Sequence, residues 1–317
     1  MAYFPGKAVT RKGMDPMSTD LSTGDTRSSA PALSATRSRA ELRAALEPRR
    51  RAGETIGLVP TMGYLHEGHL SLLRAARAEC DVVVMSLFVN PTQFGPGEDL
   101  DRYPRDERRD LELAAAEGVD VVFAPSVEEM YPDGFATAVA VEGTLTSVLD
   151  GDPARRGPGH FRGVTTVVAK LFNLVGPDVA YFGQKDAQQA AVIRRMARDL
   201  DFPLRVEVLP TVREPDGLAM SSRNTYLDAA ARERAAAIPR ALEAVERAAA
   251  TESLAAALAA GRRELEAAGI EPEYLEARDA ETLEEVDALG ARPVLVAVAA
   301  RVGDARLIDN VVLQPRA

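Results

Sequence analysis

The stretch TIGLVPTMGYLHEGHLSLLRAARAECDVVVMSLFVN, residues 55–90, decides the fold class. It begins with the short β-rich run TIGLVP, continues in a helical pattern that starts at His66, and ends in the apolar run DVVVMSLFVN. A strand, a helix and a second strand in this order are typical of parallel β-sheets, because parallel neighbours are joined by a crossover that is usually an α-helix.

The same alternation extends on both sides of this stretch, from about residue 39 to residue 210. The helical patterns are RAELRAALEPRRR, RRDLELAAAEG, TTVVAKLFNLV and QQAAVIRRMARDL, and the β-rich runs are VDVVFAP, VAYFG and LRVEVLP. The alternation predicts an α/β fold, a Rossmann-like doubly wound parallel sheet, for residues 37–210. In such sheets the ligand site lies at the carboxyl ends of the strands.

The pattern changes after the last of these runs. An alanine-rich helical region, residues 229–268, is predicted to be interrupted at Pro239 and Gly261, and the β-like runs EPEYLEARD, RPVLVAVAARV and ARLIDNVVL follow it. This order predicts a second, smaller α+β domain, a C-terminal lid domain of residues 211–317 with an antiparallel sheet. Residues 1–36 are rich in Ser, Thr, Gly and Pro without a periodic apolar pattern, which predicts a disordered extension.

The composition indicates a globular protein with an excess of acidic side chains. Among 317 residues, 38 are basic and 48 acidic, and the net charge of −10 disfavours nucleic acid and anionic membranes as partners. The single cysteine, Cys80, cannot form an intramolecular disulfide, as expected in a reducing cytosol. No apolar run of about eighteen residues indicates a membrane span, and the N-terminus lacks the apolar core of a signal peptide. We therefore expect a cytoplasmic protein.

The turn PTMGYLHEGHL, residues 60–70, carries the sharpest chemical signal. Two of the chain's three histidines, His66 and His69, are three residues apart and therefore share one face of the first helical turn. They lie beside unpaired backbone N–H groups and the positive end of the helix dipole, an arrangement that binds phosphates. Gly68 leaves room for a nucleotide close to the backbone, and Gly63 relaxes the turn. Imidazolium groups here are expected to neutralise charge that develops on phosphorus and pyrophosphate.

Other nucleotide and metal motifs fit the sequence poorly. The metalloprotease motif HExxH places two histidines four residues apart, whereas HEGH spaces them by three and lacks an evident third zinc ligand. Neither GxGxxG nor GxxxxGK[ST] occurs, and the Gly-rich loop GPGHFRG, residues 157–163, has a different spacing. Zinc chemistry, ordinary dinucleotide binding and P-loop chemistry are therefore disfavoured.

A second motif, GLAMSSRN at residues 217–224, lies far downstream in a polar loop. Arg223 offers a fork of N–H donors to phosphate oxygens, and Ser221 and Ser222 offer hydroxyl donors, from a loop that can close over a nucleotide. By itself the motif is equally compatible with a helix N-cap before the alanine-rich region. Together with the HxGH turn, it resembles the nucleotidyl-transferring Rossmann-like superfamily, which includes the class I aminoacyl-tRNA synthetases.

Four segments resemble one family within this superfamily more closely. LVPTMGYLHEGH, SLFVNPTQFGPGEDLDRYPRD, GHFRGVTTVVAKLFNLVGPDVAYFGQKDAQQ and DGLAMSSRN are similar, in order and spacing, to the pantothenate synthetases, and the resemblance covers about residue 37 to the end. It implies ATP-dependent condensation of (R)-pantoate with β-alanine, which gives pantothenate, AMP and pyrophosphate through a pantoyl adenylate. It also implies a homodimer that uses Mg²⁺ with ATP as the co-substrate.

The resemblance further implies roles for individual residues. His69 matches the proton donor, His66 lies beside the phosphates, and Lys185 and Arg223 complete the catalytic set. Asp110 occupies the place of a carboxylate associated with magnesium, although an acidic residue there would also favour the helix dipole. The remaining implied contacts are Gln93 and Gln189 for pantoate, with Gln93 also near β-alanine, and, for ATP, Met62, Gly63, Tyr64, Leu65, His66, Glu67, Gly68, His69, Gly183, Gln184, Lys185, Asp186, Val212, Met220, Ser221, Ser222 and Arg223.

Alternatives stay open at the level of residues and of function. Lys185 and Asp186 could form only a surface ion pair at a strand end. The enzyme alternative is another adenylyl-transferring member, which makes a dinucleotide-like product or activates an amino acid; the acidic charge and the lack of a basic RNA-binding appendage disfavour its tRNA-dependent version. The non-enzymatic alternative is a nucleotide-sensing module that retains the fold.

Overall fold

The computed structural model describes residues 33 and 35–315. The predicted disordered extension, residues 1–36, lies outside the described residues except at positions 33, 35 and 36. Ala35–Thr36 form a short strand, β1, which pairs in parallel with a strand of the main sheet. The regular structure therefore starts before the predicted limit, because two residues of the supposed extension complete a sheet edge.

The main sheet has six strands in the order β1-β4-β3-β2-β5-β6, and every pairing in it is parallel. The predicted fold class, a Rossmann-like doubly wound sheet, is confirmed. The strand order reverses its direction between β2 and β5, and the crevice at such a switch point is where open α/β sheets bind ligands. The further strands are β2 (Ile56–Thr61), β3 (Val82–Leu87), β4 (Val121–Phe123), β5 (Val179–Gly183) and β6 (Arg205–Leu209).

Helices cover both faces of this sheet, because successive strand residues point to opposite sides. Val82 and Val84 of β3 pack in one apolar cluster, which includes residues of α1, α5 and α6, whereas Val83 and Met85 pack in a second cluster with residues of α2 and α3. The helices of this part are α1 (Arg39–Arg51), α2 (Glu67–Glu79), α3 (Glu107–Ala116), α4 (Val127–Met130), α5 (Pro158–Val175) and α6 (Ala187–Asp199).

Helix α5 begins earlier than the sequence predicted. The segment GPGHFRG was predicted to be a loop, but α5 starts at Pro158, where proline is favoured because the first helical N–H needs no intrahelical partner. Gly157 precedes it with φ 76°. Gly163 lies inside the helix, and a Cβ there would lie 2.3 Å from the Thr92 carbonyl oxygen. The glycine thus serves close packing against the segment after β3 and does not mark a loop.

The C-terminal part contains three helices and the predicted antiparallel sheet, with strand order β7-β8-β9. The sheet packs against α8 and α9 in a core rich in alanine and valine. The boundary predicted between residues 210 and 211 stays a prediction, since the contacts group the chain from residue 33 onward into one compact unit. The elements are α7 (Ala229–Ala235), α8 (Ala237–Ala249), α9 (Leu254–Ala267), β7 (Pro272–Asp279), β8 (Val294–Val302) and β9 (Ala305–Leu313).

The helical region is interrupted at other places than predicted. The breaks lie at Ala236 and at residues 250–253. Pro239 is the third residue of α8, where its missing N–H costs no intrahelical hydrogen bond. Gly261 lies inside α9, and a Cβ there would be 2.7 Å from Cγ2 of Val245, so this glycine permits close contact between α8 and α9. No helix within residues 35–315 combines the length and the apolar character that a membrane span requires.

Candidate active site

A cleft of about 960 Å³ opens at the carboxyl ends of the parallel strands, where the sequence predicted the ligand site. Thr61 ends β2, Gly183 ends β5 and Pro210 follows β6, and all three line the cleft. Asn310 of β9 lines it as well. The site is therefore built by the switch point of the parallel sheet together with the antiparallel sheet.

The structure brings most of the predicted site residues to this cleft. Glu67 instead pairs with Arg74 on the surface of α2. Six predicted residues do not line the cleft: Gly63, Tyr64, Leu65, Glu67, Gln184 and Asp110. Those that line it are Met62, His66, Gly68, His69, Gln93, Gly183, Lys185, Asp186, Gln189, Val212, Met220, Ser221, Ser222 and Arg223.

The turn between β2 and α2 has an unusual backbone that α3 locks. Gly63 and Tyr64 have φ values of 85° and 51°, in the left-handed region. The two carboxylate oxygens of Asp110 accept the N–H groups of Tyr64 and Leu65, each at 2.7 Å. A Cβ at position 63 would lie 2.6 Å from Cδ1 of Leu87, so only glycine fits there without rearrangement. The turn is consequently fixed before any ligand binds.

This geometry gives Asp110 a role that the sequence did not reveal. Its side chain is buried, both of its oxygens accept backbone N–H groups, and burial raises its carboxyl pKa despite those bonds. The other prediction for Asp110, a favourable interaction with the dipole of α3, is also incomplete. The residue that caps this helix is Asp106, whose carboxylate accepts the N–H of Arg109. The magnesium assignment of Asp110 stays a prediction that this geometry does not favour.

The two histidines of the turn lie against each other. His66 is the N-cap residue of α2, and its ring centroid is 4.0 Å from that of His69. The His66 backbone N–H donates to Nδ1 of His69 at 3.3 Å, so the neutral His69 ring carries its proton on Nε2. A Cβ at Gly68 would lie 3.0 Å from the His66 ring. Gly68 thus makes space for His66 itself, in addition to the predicted space for a nucleotide.

The protein groups around the two histidines do not favour the expected imidazolium groups. Burial, together with the positive charge of Lys185, lowers the pKa of His66 to about 4. Burial and the neighbouring His66 hold the pKa of His69 well below its ordinary value. Both rings are therefore neutral at pH 7, and they act towards an anion as N–H donors and not as cations.

Lys185 supplies a positive charge at the opposite side of the switch point. It lies in the 3-10 helix Gln184–Asp186, directly after β5. Its Nζ is 3.7 Å from Oδ1 of Asp186. The predicted ion pair is therefore present, but both residues line the cleft and the Lys185 side chain is mostly buried. The pair belongs to the site and not to the outer surface.

Arg223 contacts a partner that the sequence analysis missed. Its Nε and Nη2 donate to the two carboxylate oxygens of Asp99, at 2.8 and 2.9 Å. Asp99 belongs to the segment SLFVNPTQFGPGEDLDRYPRD, but no local pattern couples it to a loop more than a hundred residues later. The N-cap alternative is confirmed in part: Ser221 caps the short 3-10 helix Ser222–Tyr226, which lies directly before the alanine-rich region, whereas Asp228 caps α7.

Gln93 lies in the 3-10 helix Pro91–Gln93, which follows β3. Its Oε1 accepts an N–H of Asn90 at 3.2 Å, and its Nε2 donates to the sulfur of Met62 at 3.1 Å. The amide therefore has one N–H left to present to the cleft. Gln189, on α6, is the second predicted glutamine of the lining. Asn90 is buried and was not singled out from the sequence, although it directly follows β3.

His160 supports Gln93 from the first turn of α5. Its Nδ1 is 2.8 Å from the Gln93 carbonyl oxygen, and its Nε2 accepts an N–H of Arg156 at 3.0 Å. Burial and the positive charge of Arg156 lower the pKa of His160 to about 4, so the ring is neutral and Nδ1 is the donor. Arg156 in turn donates to both carboxylate oxygens of Glu98. The sequence assigned no chemical step to His160. The structure places it in contact with Gln93, which is a candidate to bind the substrate.

Comparison with known proteins decides the family. A family profile described as pantoate-beta-alanine ligase matches residues 34–312 of this chain. The chain belongs to the pantoate-beta-alanine ligase family. The resemblance seen in the four sequence segments is confirmed, and the match spans both sheets.

Two pantothenate synthetases are among the proteins similar to this chain. The chain is 59% identical over 268 residues to the pantothenate synthetase of Moorella thermoacetica, which covers 84% of this chain and 93% of that protein. It is 56% identical over 276 residues to pantothenate synthetase 1 of Bradyrhizobium diazoefficiens, which covers 86% of this chain and 96% of that protein.

Solved ligase structures agree with the fold described above. The crystal structure of pantothenate synthetase from Thermus thermophilus superposes with a TM-score of 0.83 at 52% identity and covers 89% of this chain and 100% of that chain. The pantoate-beta-alanine ligase of Francisella tularensis superposes with a TM-score of 0.73 at 33% identity, over 88% of this chain and 97% of that chain. The Francisella protein was crystallised in a complex with beta-gamma ATP and beta-alanine.

Proposed function

We propose that this member of the ligase family condenses (R)-pantoate with β-alanine in the described cleft, with ATP as the co-substrate and a pantoyl adenylate as the intermediate. The observation that carries the proposal is that three predicted ATP-contacting stretches and the two predicted glutamines meet in one cleft at the switch point. The stretches are the HxGH turn, residues 183–186 and the MSSR loop. The ATP and β-alanine bound by the Francisella relative support the choice of substrates.

The first half-reaction joins the pantoate carboxylate to the α-phosphorus of ATP and releases pyrophosphate. Both reactants are anions, so the step depends on in-line positioning and neutralisation of charge more than on removal of a proton. Lys185 and Arg223 provide positive charge. The neutral rings of His66 and His69 and the N-terminus of α2 provide N–H donors and the positive end of a helix dipole.

The acid pocket is suited to a carboxylate that must remain nucleophilic. Because Oε1 of Gln93 accepts from Asn90 and one Nε2 hydrogen donates to the Met62 sulfur, the second Nε2 hydrogen is the one that Gln93 can offer to an acceptor of the ligand. A neutral amide orients a carboxylate oxygen without drawing off charge as strongly as a bidentate arginine would. We assign pantoate to Gln93 and Gln189 on this ground, with Gln93 also near β-alanine.

The second half-reaction is the attack of the β-alanine amine on the acyl carbon of the adenylate, with AMP as the leaving group. The Nε2–H of His69 can donate a hydrogen bond to an oxygen of the departing phosphate group. A neutral imidazole keeps this proton, so we assign His69 the role of a hydrogen-bond donor in place of the proton-donor role that the family implies. The backbone N–H of His66, which donates to Nδ1 of His69, holds the ring in the tautomer that carries its proton on Nε2.

Magnesium enters this proposal as the complex with ATP. Mg²⁺ keeps several water ligands and is usually bound through phosphate oxygens with one or two carboxylates. The oxygens of Asp110 are already hydrogen-bonded and lie outside the cleft lining, so this residue does not fit a direct ligand, and we route no step through the ion.

The oligomeric state and the cell compartment rest on the family resemblance and on the composition. We propose a homodimer in the cytoplasm that binds no nucleic acid, in line with the net charge of −10 and the single buried cysteine. Sedimentation equilibrium at micromolar concentration tests the dimer, and a monomeric mass across that range would contradict it.

Product analysis tests the proposed function directly. With ATP, pantoate and β-alanine present, we expect pantothenate, AMP and pyrophosphate in equal amounts, and no product when any one substrate is omitted. Release of pyrophosphate with another acid and not with pantoate would favour a different adenylyl-transferring enzyme. ATP binding without any product would favour a nucleotide sensor.

A further inference from the structure

Asn310 lies on β9 of the antiparallel sheet, yet it contacts the turn that carries Lys185. Its Nδ2 donates to the carbonyl oxygens of Gln184 and Lys185, at 2.9 and 3.0 Å. Its Oδ1 accepts the Nε2–H of Gln184 at 3.0 Å. Asn310 is 5% exposed and lines the cleft. A buried asparagine thus makes three hydrogen bonds to two consecutive residues of the turn after β5.

The orientation of this amide is determined by its neighbours. Carbonyl oxygens can only accept, so the NH₂ group of Asn310 must face the carbonyls of Gln184 and Lys185. The oxygen of Asn310 then faces Gln184, whose amide must present its own NH₂ group. Loss of Asn310 leaves two backbone acceptors and one side-chain donor without these partners, and it frees the turn to rotate.

The residue before Asn310 makes a parallel connection. Asp309 is buried and accepts two hydrogen bonds from Arg213, at 2.6 and 3.1 Å. Arg213 pairs with Ala219 in an isolated β-bridge, and the N–H of Met220 donates to the Val212 carbonyl at 3.0 Å. Asn310 therefore connects the Lys185 turn to β9, and Asp309 connects the stretch before the MSSR motif to the same strand.

We propose that Asn310 is a positioning residue for adenylate formation, which holds the turn after β5 so that Lys185 faces the phosphates of ATP. The inference rests on the proposed function. Asn310 itself contacts the backbone of Lys185, so it acts through that residue. The antiparallel sheet thereby contributes to nucleotide chemistry from outside the three predicted ATP-contacting stretches.

The first test compares substitutions at Asn310 in pantoate-dependent exchange of pyrophosphate into ATP. We expect Asn310→Ala to lower kcat/KM for ATP by about tenfold to a hundredfold, because a displacement of about 1 Å in a reacting group has effects of this size. The KM for pantoate should change by less than about threefold. Asn310→Asp keeps the acceptor for Gln184 and loses both donors, and we expect a loss at least as large.

A matched control separates positioning from general stability. Asp279, at the end of β7, is buried and accepts three hydrogen bonds from Glu281 and Thr282, but it does not line the cleft. Asp279→Ala removes three hydrogen bonds from the same sheet and, in addition, the ion pair of Asp279 with Arg292. It should lower the melting temperature at least as much as Asn310→Ala and leave kcat/KM for ATP within about threefold of wild type.

A double-mutant cycle tests whether Asn310 acts through Lys185. In a Lys185→Met background, Asn310→Ala should lower the exchange rate by less than about twofold, because the group it positions is gone. A full multiplicative loss in that background, or an unchanged kcat/KM for ATP in the single Asn310 variants, would overturn the inference. If Asn310→Ala does not fold, Asn310→Ser, which retains one donor, should show an intermediate loss.

The wild-type measurement separates this inference from the function on which it rests. Wild-type protein without exchange contradicts the proposed function and the inference together. Normal exchange in wild type and in both Asn310→Ala and Asn310→Asp contradicts the inference alone.

Discussion

Asp99 binds the guanidinium of Arg223 through two hydrogen bonds, from Nε and Nη2, although the two residues are 124 positions apart. The pair connects the segment after β3 to the MSSR loop, and the Tyr226 hydroxyl also donates to the Arg102 carbonyl across the same contact. Within the described part of the chain, Nη1 of Arg223 makes no hydrogen bond in addition to those of Nε and Nη2, and it can donate to a phosphate. Asp99 thus orients Arg223 in the cleft, so that less side-chain entropy is lost when ATP binds.

Asp99→Asn tests this relationship. The amide retains the shape but loses the charge and one acceptor, and we expect kcat/KM for ATP to fall by about tenfold, since a fork of charge-assisted bonds is lost. Steady-state kinetics with varied ATP measure the effect. Asp199→Asn is the matched control, because Asp199 pairs with Arg195 on the exposed side of α6; a loss of equal size there would contradict the assignment.

Asp110→Asn tests the lock on the turn after β2. The substitution replaces one of the two accepting oxygens by an NH₂ group, which faces an N–H donor. One buried donor is therefore left unpaired, at a cost of about 1–3 kcal/mol in the free energy of unfolding. Urea denaturation measures this loss. The Mg²⁺ concentration for half-maximal activity should stay unchanged, and a large rise would instead show that Asp110 binds the ion.

Gly68→Ala tests the space beside His66. Alanine favours the helix by up to about 1 kcal/mol, so stability should be retained, whereas the added Cβ must displace the His66 ring and exchange should fall by about tenfold or more. Gly159→Ala in α5 is the control, because a Cβ there meets nothing within 4 Å. Unchanged exchange in the Gly68→Ala variant would show that the ring position does not matter.

The histidines predict a pH dependence of stability. Burial lowers the pKa of His66 from 6.5 to about 4, so the unfolded chain binds a proton that the folded chain does not bind between these values. The stability from the neutral ring is present above about pH 6.5 and is lost as the pH falls towards 4. His66→Gln cannot titrate and should lose less stability between pH 7 and pH 5 than wild type, as measured by urea denaturation. Equal losses would contradict the lowered pKa.

Elements with strong local signals could be predicted from the sequence. Helix α1 matches the predicted segment because Ser38 and Glu41 form a capping box at its start. The antiparallel sheet was visible as three β-rich runs. The start of α5 and the course of α9 were mispredicted because Gly163 and Gly261 resemble helix breakers locally, while their reason for being glycine is contact with distant segments.

The site could be predicted only where the chemistry lies in a contiguous motif. The HxGH turn, Lys185 and Arg223 carry such motifs, and the cleft contains them all. Asp99 and Asn310 act on residues more than a hundred positions away, so no periodicity or spacing reveals them. The neutral state of the histidines was missed for a related reason. Their lowered pKa values depend on burial and on the proximity of Lys185, and both arise only when the chain folds.

The central claim is that an acyl adenylate forms in this cleft before the amine attacks. The most direct measurement is the exchange of labelled pyrophosphate into ATP by the wild-type protein. We predict exchange that requires pantoate and proceeds without β-alanine, and that falls by at least about a hundredfold when Lys185 is replaced by Met. The account would be contradicted by protein that makes pantothenate but shows no exchange, or exchange only when β-alanine is present.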